Sequence, residues 1–317
     1  MLAVQLEGGR VDVVRAARPR RRPGYSLLRL LAAGICNTDL ELQRGYYGFR
    51  GRPGHEFVAE VVASDTQALI GRRVVGEINL ACAKCDWCAR GLERHCPHRT
   101  VLGIVRHPGA FAEFLTLPDA NLHLVPASVT NEEAVFVEPL AAACEILDQV
   151  KVARGAEVAV LGDGKLGLLI GQVLVAHGAR VRQFGRHREK LRLVERAGVS
   201  AEVVKDRLPA AAFDVVVEAT GSPQGLQAAV QMTRPRGTVV MKSTVHGTTP
   251  LDAAPVIVNE ITLVGSRCGR FAPALRLLAQ RKIAVGDMIS DTLPLGQARE
   301  AFARAATAGT LKVMLTP

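Results

Sequence analysis

The segment VAVLGDGKLGLLIG sets Gly162, Gly164 and Gly167 in the pattern G-x-G-x-x-G, between an apolar run at 157–161 and an apolar-faced stretch at 165–177. Few folds accommodate that combination. The first glycine permits a tight turn, the second lets backbone approach a pyrophosphate, and the third allows helix to pack closely on strand. The helix start, opened here by Lys165, offers unpaired N–H groups and a positive dipole end to phosphates. The segment therefore predicts a dinucleotide-binding strand–turn–helix, against the plainer reading of a glycine turn without a ligand. Further buried-strand patterns at 179–184, 213–218, 238–241 and 261–265, mostly with helical stretches between them, extend it into an α/β fold with a doubly wound parallel sheet.

An NAD-binding unit usually carries an Asp or Glu about 20 residues further on, at the end of its second strand, to accept from the ribose 2′-hydroxyl. Here that strand runs Val181, Arg182, Gln183, Phe184 into Gly185, Arg186, His187 and Arg188, with no acid. A small residue at 185 leaves space for a 2′-phosphate, and Arg186, with Arg188 or His187, can pair its charge. We expect NADP in preference to NAD. The alternative is that Arg188 and its neighbours only decorate the solvated start of the next helix.

The remainder of the chain has a different texture. Residues 1 to about 125 hold short alternating segments, such as 54–62 and 111–117, between Gly and Pro turns, which is a β-rich pattern. Beyond 268 come helical runs at 273–280 and 296–308 and a last strand at 312–316. A length of 317 residues predicts about two domains, and no segment matches a membrane span or a signal peptide, so we expect a cytoplasmic protein. The net charge of +10 is scattered, which is weak evidence for a nucleic-acid partner and fits an anionic cofactor or substrate equally well.

Four of the seven cysteines, Cys82, Cys85, Cys88 and Cys96, fall in the pattern C-x2-C-x2-C-x7-C. Their spacing predicts a closed tetrahedral zinc site that stabilises a lobe at about 78–100, too small for a core of its own. That use of thiolates fits a reducing compartment. Cys144 and Cys268 sit in apolar surroundings and read as inert core residues.

Upstream lies GICNTDL, with Cys36, Thr38 and Asp39, then PGHEF, with His55 and Glu56, and later VEPLA, with Glu138. With the cysteine lobe and the glycine fingerprint in this order, the chain resembles the zinc-dependent medium-chain alcohol dehydrogenases, in particular their polyol, threonine and glucose dehydrogenase branch, over nearly its whole length. The resemblance implies a GroES-like β-barrel catalytic domain at 1–137 and 268–317, and a Rossmann domain at 138–267. It implies that Cys36 and His55 ligate a catalytic zinc, that either Glu56 or Glu138 completes the protein ligands, and that Asp39 orients His55. An open position on such an ion admits substrate. Thr38 matches the family's proton-passing hydroxyl, whereas Glu41 stands where many relatives carry a histidine, which leaves the onward path to Glu41 or to water.

The activity implied is hydride transfer between NADP(H) and a small alcohol or polyol, or the matching aldehyde or ketone, in a homodimer or homotetramer. A catalytically silent nucleotide- and zinc-binding member of the same fold, acting as a sensor, is the alternative, supported by the departure at Glu41. A zinc-ribbon nucleic-acid binder would account for Cys82 to Cys96 but leaves the glycine fingerprint, Cys36 and His55 unexplained. Tyr46, Tyr47, Phe49, Arg267 and Arg270 are candidate substrate-lining residues, with packing or surface roles as the plainer reading.

Overall fold

The structure is a computed structural model and describes residues 1–204, 207–244 and 248–317. The chain divides into two compact units, Met1–Glu138 with Val285–Pro317, and Pro139–Ala284. Among the described residues no helix is long and apolar enough to cross a membrane.

In the first unit a seven-stranded sheet is organised on Tyr25–Gly34, which pairs antiparallel with Glu56–Ala63, Phe114–Pro118 and Lys312–Thr316. The C-terminal strand thus lies beside the segment leading to Cys36, although it is almost the whole chain away in sequence. Lys312–Thr316 pairs in parallel with Ile289–Pro294, a strand that the polar sequence ISDTLP conceals. The N-terminal alternation forms a hairpin of Leu2–Glu7 and Arg10–Arg15.

The second unit carries a six-stranded parallel sheet in the order Ser200–Val203, Arg180–Gly185, Glu157–Leu161, Phe213–Glu218, Thr233–Met241, Thr262–Gly265. Numbered along the chain this is 3-2-1-4-5-6, the doubly wound order with its switch point beside the first strand. All strands anticipated from apolar runs are present. Ser200–Val203 escaped because an edge strand of four residues, two of them exposed, has no apolar run to betray it. The helix Lys165–His177 buries Leu168, Leu169, Ile170, Val173 and Leu174 and stops at Gly178, whose φ of 105° is the left-handed cap that glycine favours. Phe184, Phe213, Val216, Val230 and Val239 belong to one buried cluster of this unit, in which the rings of Phe184 and Phe213 meet edge to face at 5.9 Å.

The chain returns to the first unit at Val285, later than the texture change at 268 suggested. The helix Phe271–Ala279 and the turn after it stay with the second unit. Gln172 holds them there, donating through Nε2 to the Ala284 carbonyl (3.1 Å) and accepting at Oε1 from its N–H (2.8 Å).

Candidate functional site

Strand Tyr25–Gly34 delivers Cys36 to the N-cap of the helix Asn37–Gln43, and Glu56–Ala63 begins directly after His55. Gly54, at φ 101°, makes the turn before His55, and a Cβ there would stand 2.4 Å from Phe111. The outcome is a buried group in which Cys36, His55 and Glu56 each offer one ligand atom, all within 4.8 Å of one another. His55 and Glu56 are 3% and 1% exposed, so water cannot solvate them in place of a ligand.

Asp39, fully buried, ties the two segments together. One carboxylate oxygen accepts from the Cys36 N–H at 2.8 Å, and the other accepts from the Gly54 N–H at 3.1 Å and lies 3.5 Å from His55 Nδ1. This side of the imidazole faces the acid, which turns Nε2 to the shared space. Burial alone would lower the His55 pKa, but the charges of Asp39 and Cys36 outweigh it and raise it well above the usual histidine range. The site is therefore a concentration of negative charge that favours a cation, and thiolate, imidazole and carboxylate form a donor set suited to zinc.

Glu138 is not in this group. Beside Glu56 lies a residue that sequence reasoning passed over, Lys312, whose buried ammonium pairs with Glu56 Oε2 and stands 5.5 Å from the Phe136 ring centroid. Burial disfavours its charge, but Glu56, Cys36 and Glu138 together raise its pKa and keep it ionised. The available signal was a lone lysine inside the apolar run LKVML. Gly34 completes the cage, since a Cβ there would meet Val135, Glu56 and Lys312 within 3 Å.

Thr38 Oγ1 lies 3.7 Å from Cys36 Sγ. Glu41, by contrast, is engaged with Arg44 at 2.6 Å on the exposed side of its helix. Of the candidate lining residues, Arg270 is committed to a forked pair with Asp148, while Tyr46 and Tyr47 stack at 4.1 Å with Tyr47 69% exposed.

In the cysteine lobe, Cys85 to Cys88, Cys85 to Cys96 and Cys82 to Cys96 are 3.6, 3.7 and 3.5 Å apart at sulfur. Bonds of about 2.3 Å to one tetrahedral zinc would put sulfurs roughly 3.8 Å apart, and a disulfide would need about 2.05 Å, so the spacing fits a shared ion. None of the seven cysteines is in a disulfide among the described residues.

In the second unit Gly162, at φ 117°, packs against the Ala219 carbonyl, where a Cβ would come within 2.4 Å, and a Cβ on Gly167 would come within 2.5 Å of the Gly162 carbonyl. Gly164, the helix N-cap, faces open space. Gly162 and Gly167 are thus closely packed, and Gly164 is left open. Two expectations about the strand end need correcting. The space over Gly185 is filled by Asp163, because a Cβ on Gly185 would stand 2.6 Å from the Asp163 Cβ. An acid is present at the strand end after all, delivered by the glycine turn rather than by the strand. The Asp163 Oδ2 accepts from the N–H groups of Arg186 and His187, both at 2.6 Å. Burial would raise the Asp163 pKa, yet these N–H groups and the His187 ring hold it below the usual carboxylate value. Arg188 is taken up by a forked pair with Glu195 at 2.6 and 3.0 Å, whereas the exposed Arg186 guanidinium has no ion-pair partner among the described residues.

Residues 22–127 match the alcohol dehydrogenase GroES-like domain and residues 166–280 the zinc-binding dehydrogenase domain. The chain belongs to the zinc-binding alcohol dehydrogenases of the medium-chain dehydrogenase/reductase superfamily, a family of oxidoreductases acting on alcohols. It is 30% identical to a D-altritol 5-dehydrogenase of Agrobacterium fabrum, covering 94% of each chain, and 27% identical to a sorbitol dehydrogenase of Halalkalibacterium halodurans, covering 95% of this chain and 94% of that one. Among solved structures it superposes on an alcohol dehydrogenase from a Thermus species with a TM-score of 0.92 at 30% identity, covering 100% of this chain and 99% of that one. A zinc-binding dehydrogenase from Sinorhizobium meliloti, solved bound to NADP, gives 0.92 at 28% identity with the same coverage.

Proposed function

We propose that this chain is a zinc-dependent, NADP-preferring dehydrogenase of a small polyol or other alcohol, and equally a reductase of the matching aldehyde or ketone. The observation that carries the proposal is the buried convergence of Cys36, His55 and Glu56 within 4.8 Å. We assign these three as the catalytic zinc ligands, with Glu56 rather than Glu138 as the carboxylate, and Cys82, Cys85, Cys88 and Cys96 as the structural zinc ligands. Relatives named for sorbitol and D-altritol support a polyol as the substrate class.

A zinc ion there would supply Lewis acidity, which lowers the pKa of water from about 15.7 to about 7 and acts in the same sense on an alcohol. The protein's own part is to hold and move charge. Asp39 fixes the imidazole and the Cys36 backbone together, so the ligands need little reorganisation during reaction. Lys312 offsets the second negative charge that Glu56 adds to the thiolate. Thr38, beside Cys36, relays the substrate's hydroxyl proton by accepting it while giving its own to water, since Glu41 is held by Arg44. In the second unit, Gly162, Gly164, Lys165 and Gly167 receive the pyrophosphate at the helix start. At the strand end, past Gly185, Arg186 pairs with the 2′-phosphate, while Arg188 stays with Glu195.

The test is Cys36→Ser. Turnover on a polyol panel should fall at least about a thousandfold, because several of the roughly 12 kcal/mol that zinc can contribute to hydroxyl ionisation depend on this ligand. Zinc content should drop from two per chain towards one while NADPH binding persists. Unchanged turnover would remove Cys36 from the site.

A further inference from the structure

The second strand of the parallel sheet ends without an acid of its own, yet a carboxylate stands at that end. Asp163 lies between the first two glycines of the turn, its side chain 12% exposed. Its Oδ2 accepts from the Arg186 and His187 N–H groups at 2.6 Å each and lies 2.9 Å from His187 Nδ1. These residues directly follow Gly185, the region where a dinucleotide-binding unit ordinarily keeps the acid that takes the ribose 2′-hydroxyl. Glycine at 185 is what makes the arrangement possible, since any side chain there would collide with Asp163. Three donors converge on Oδ2, and Oδ1 has no hydrogen-bond partner among the described residues.

We propose that Asp163 reads the adenosine ribose, its Oδ1 accepting from the 2′-hydroxyl of NAD, while Arg186 takes the 2′-phosphate of NADP. One site then admits both cofactors, and two opposite charges set the ratio between them. A carboxylate repels a 2′-phosphate, and a guanidinium attracts it. The three donors on Oδ2 keep Asp163 ionised and fixed, so the repulsion is permanent rather than relieved by rotation of the side chain. The Arg186 half rests on the NADP reading above, and the Asp163 half does not.

The experiment titrates the full-length, zinc-loaded protein with NADH and NADPH by nicotinamide fluorescence, which requires no knowledge of the substrate. Asp163→Asn should weaken NADH about tenfold, the scale of a hydrogen bond to a charged group, and leave NADPH unchanged or tighter. Asp163→Ser keeps an oxygen for the loop amides but no charge, and it should shift the NADPH to NADH ratio in the same direction. The ratio is the decisive quantity, because damage to the loop lowers both affinities together. Equal losses for both cofactors, or no change, in the two variants would reduce Asp163 to a clamp on the turn and overturn the inference. Arg186→Ala tests the other half independently. It should weaken NADPH at least about tenfold and leave NADH within about twofold, and an unaltered NADPH affinity would sink the NADP reading without touching the NADH arm of Asp163.

Discussion

The two clusters of the first unit that could hold a metal ion are built in opposite ways. Cys82, Cys85, Cys88 and Cys96 lie within 15 consecutive residues, and three of the four are only partly buried. Cys36, His55 and Glu56 come from two segments, are locked together by a buried aspartate, and are balanced by a lysine from the last strand. A closed thiolate cage needs only the ion to be satisfied. An open site that must admit substrate has fewer protein ligands, so the fold itself has to hold the charges in place. The difference is the one expected between the proposed structural site and the proposed catalytic site.

The comparison is most sharply tested at the lobe. Cys96→Ser should release the structural zinc, with loss of much of a binding energy that reaches about 10–16 kcal/mol in small zinc modules. Metal analysis should show one zinc per chain, and scanning calorimetry a midpoint lower by about 2–4 °C for every kcal/mol lost. The turnover of protein that remains folded should survive, and its abolition would erase the division of labour between the clusters.

Lys312→Met comes next. Removing one member of a buried pair leaves an uncompensated charge, so zinc-free protein should lose about 3–5 kcal/mol by denaturant titration. Zinc at Cys36 and His55 takes over the neutralisation of Glu56, so the loss should be clearly smaller in zinc-loaded protein. Equal losses in the two forms would mean that Glu56 does not face the ion. The mildest effect belongs to Asp39→Asn, which keeps one of the two hydrogen-bond acceptors but not the charge. Zinc affinity at the catalytic cluster should fall about 10–100-fold in chelator competition, with the cysteine lobe unaffected.

The parts of the site legible in advance were those that act locally. Glycines 162, 164 and 167 could be read because they form one contiguous motif, with Gly162 at φ 117° in its own turn and Gly167 packed on the Gly162 carbonyl, and the four cysteines because their spacing alone suffices to surround one ion. Cys36, His55 and Glu56 became legible only through the resemblance of their motifs, since nothing local says that residue 36 meets residue 55. Lys312 and Asp163 were missed for the same physical reason. Each acts on a segment distant in sequence: Lys312 on Glu56 across the intervening strand Tyr25–Gly34, and Asp163 on Arg186 and His187 across a parallel pair.

By itself the sequence determined the two textures, the strand–turn–helix that begins the parallel sheet, and the close spacing of the four lobe cysteines, because periodicity and short spacings are properties of neighbouring residues. Only the tertiary structure decided which acid stands with the thiolate and imidazole, which cation balances it, and which carboxylate reaches the end of the second strand. Charges interact through space at distances of a few ångströms, and the chain's order does not encode those distances until the sheets have closed.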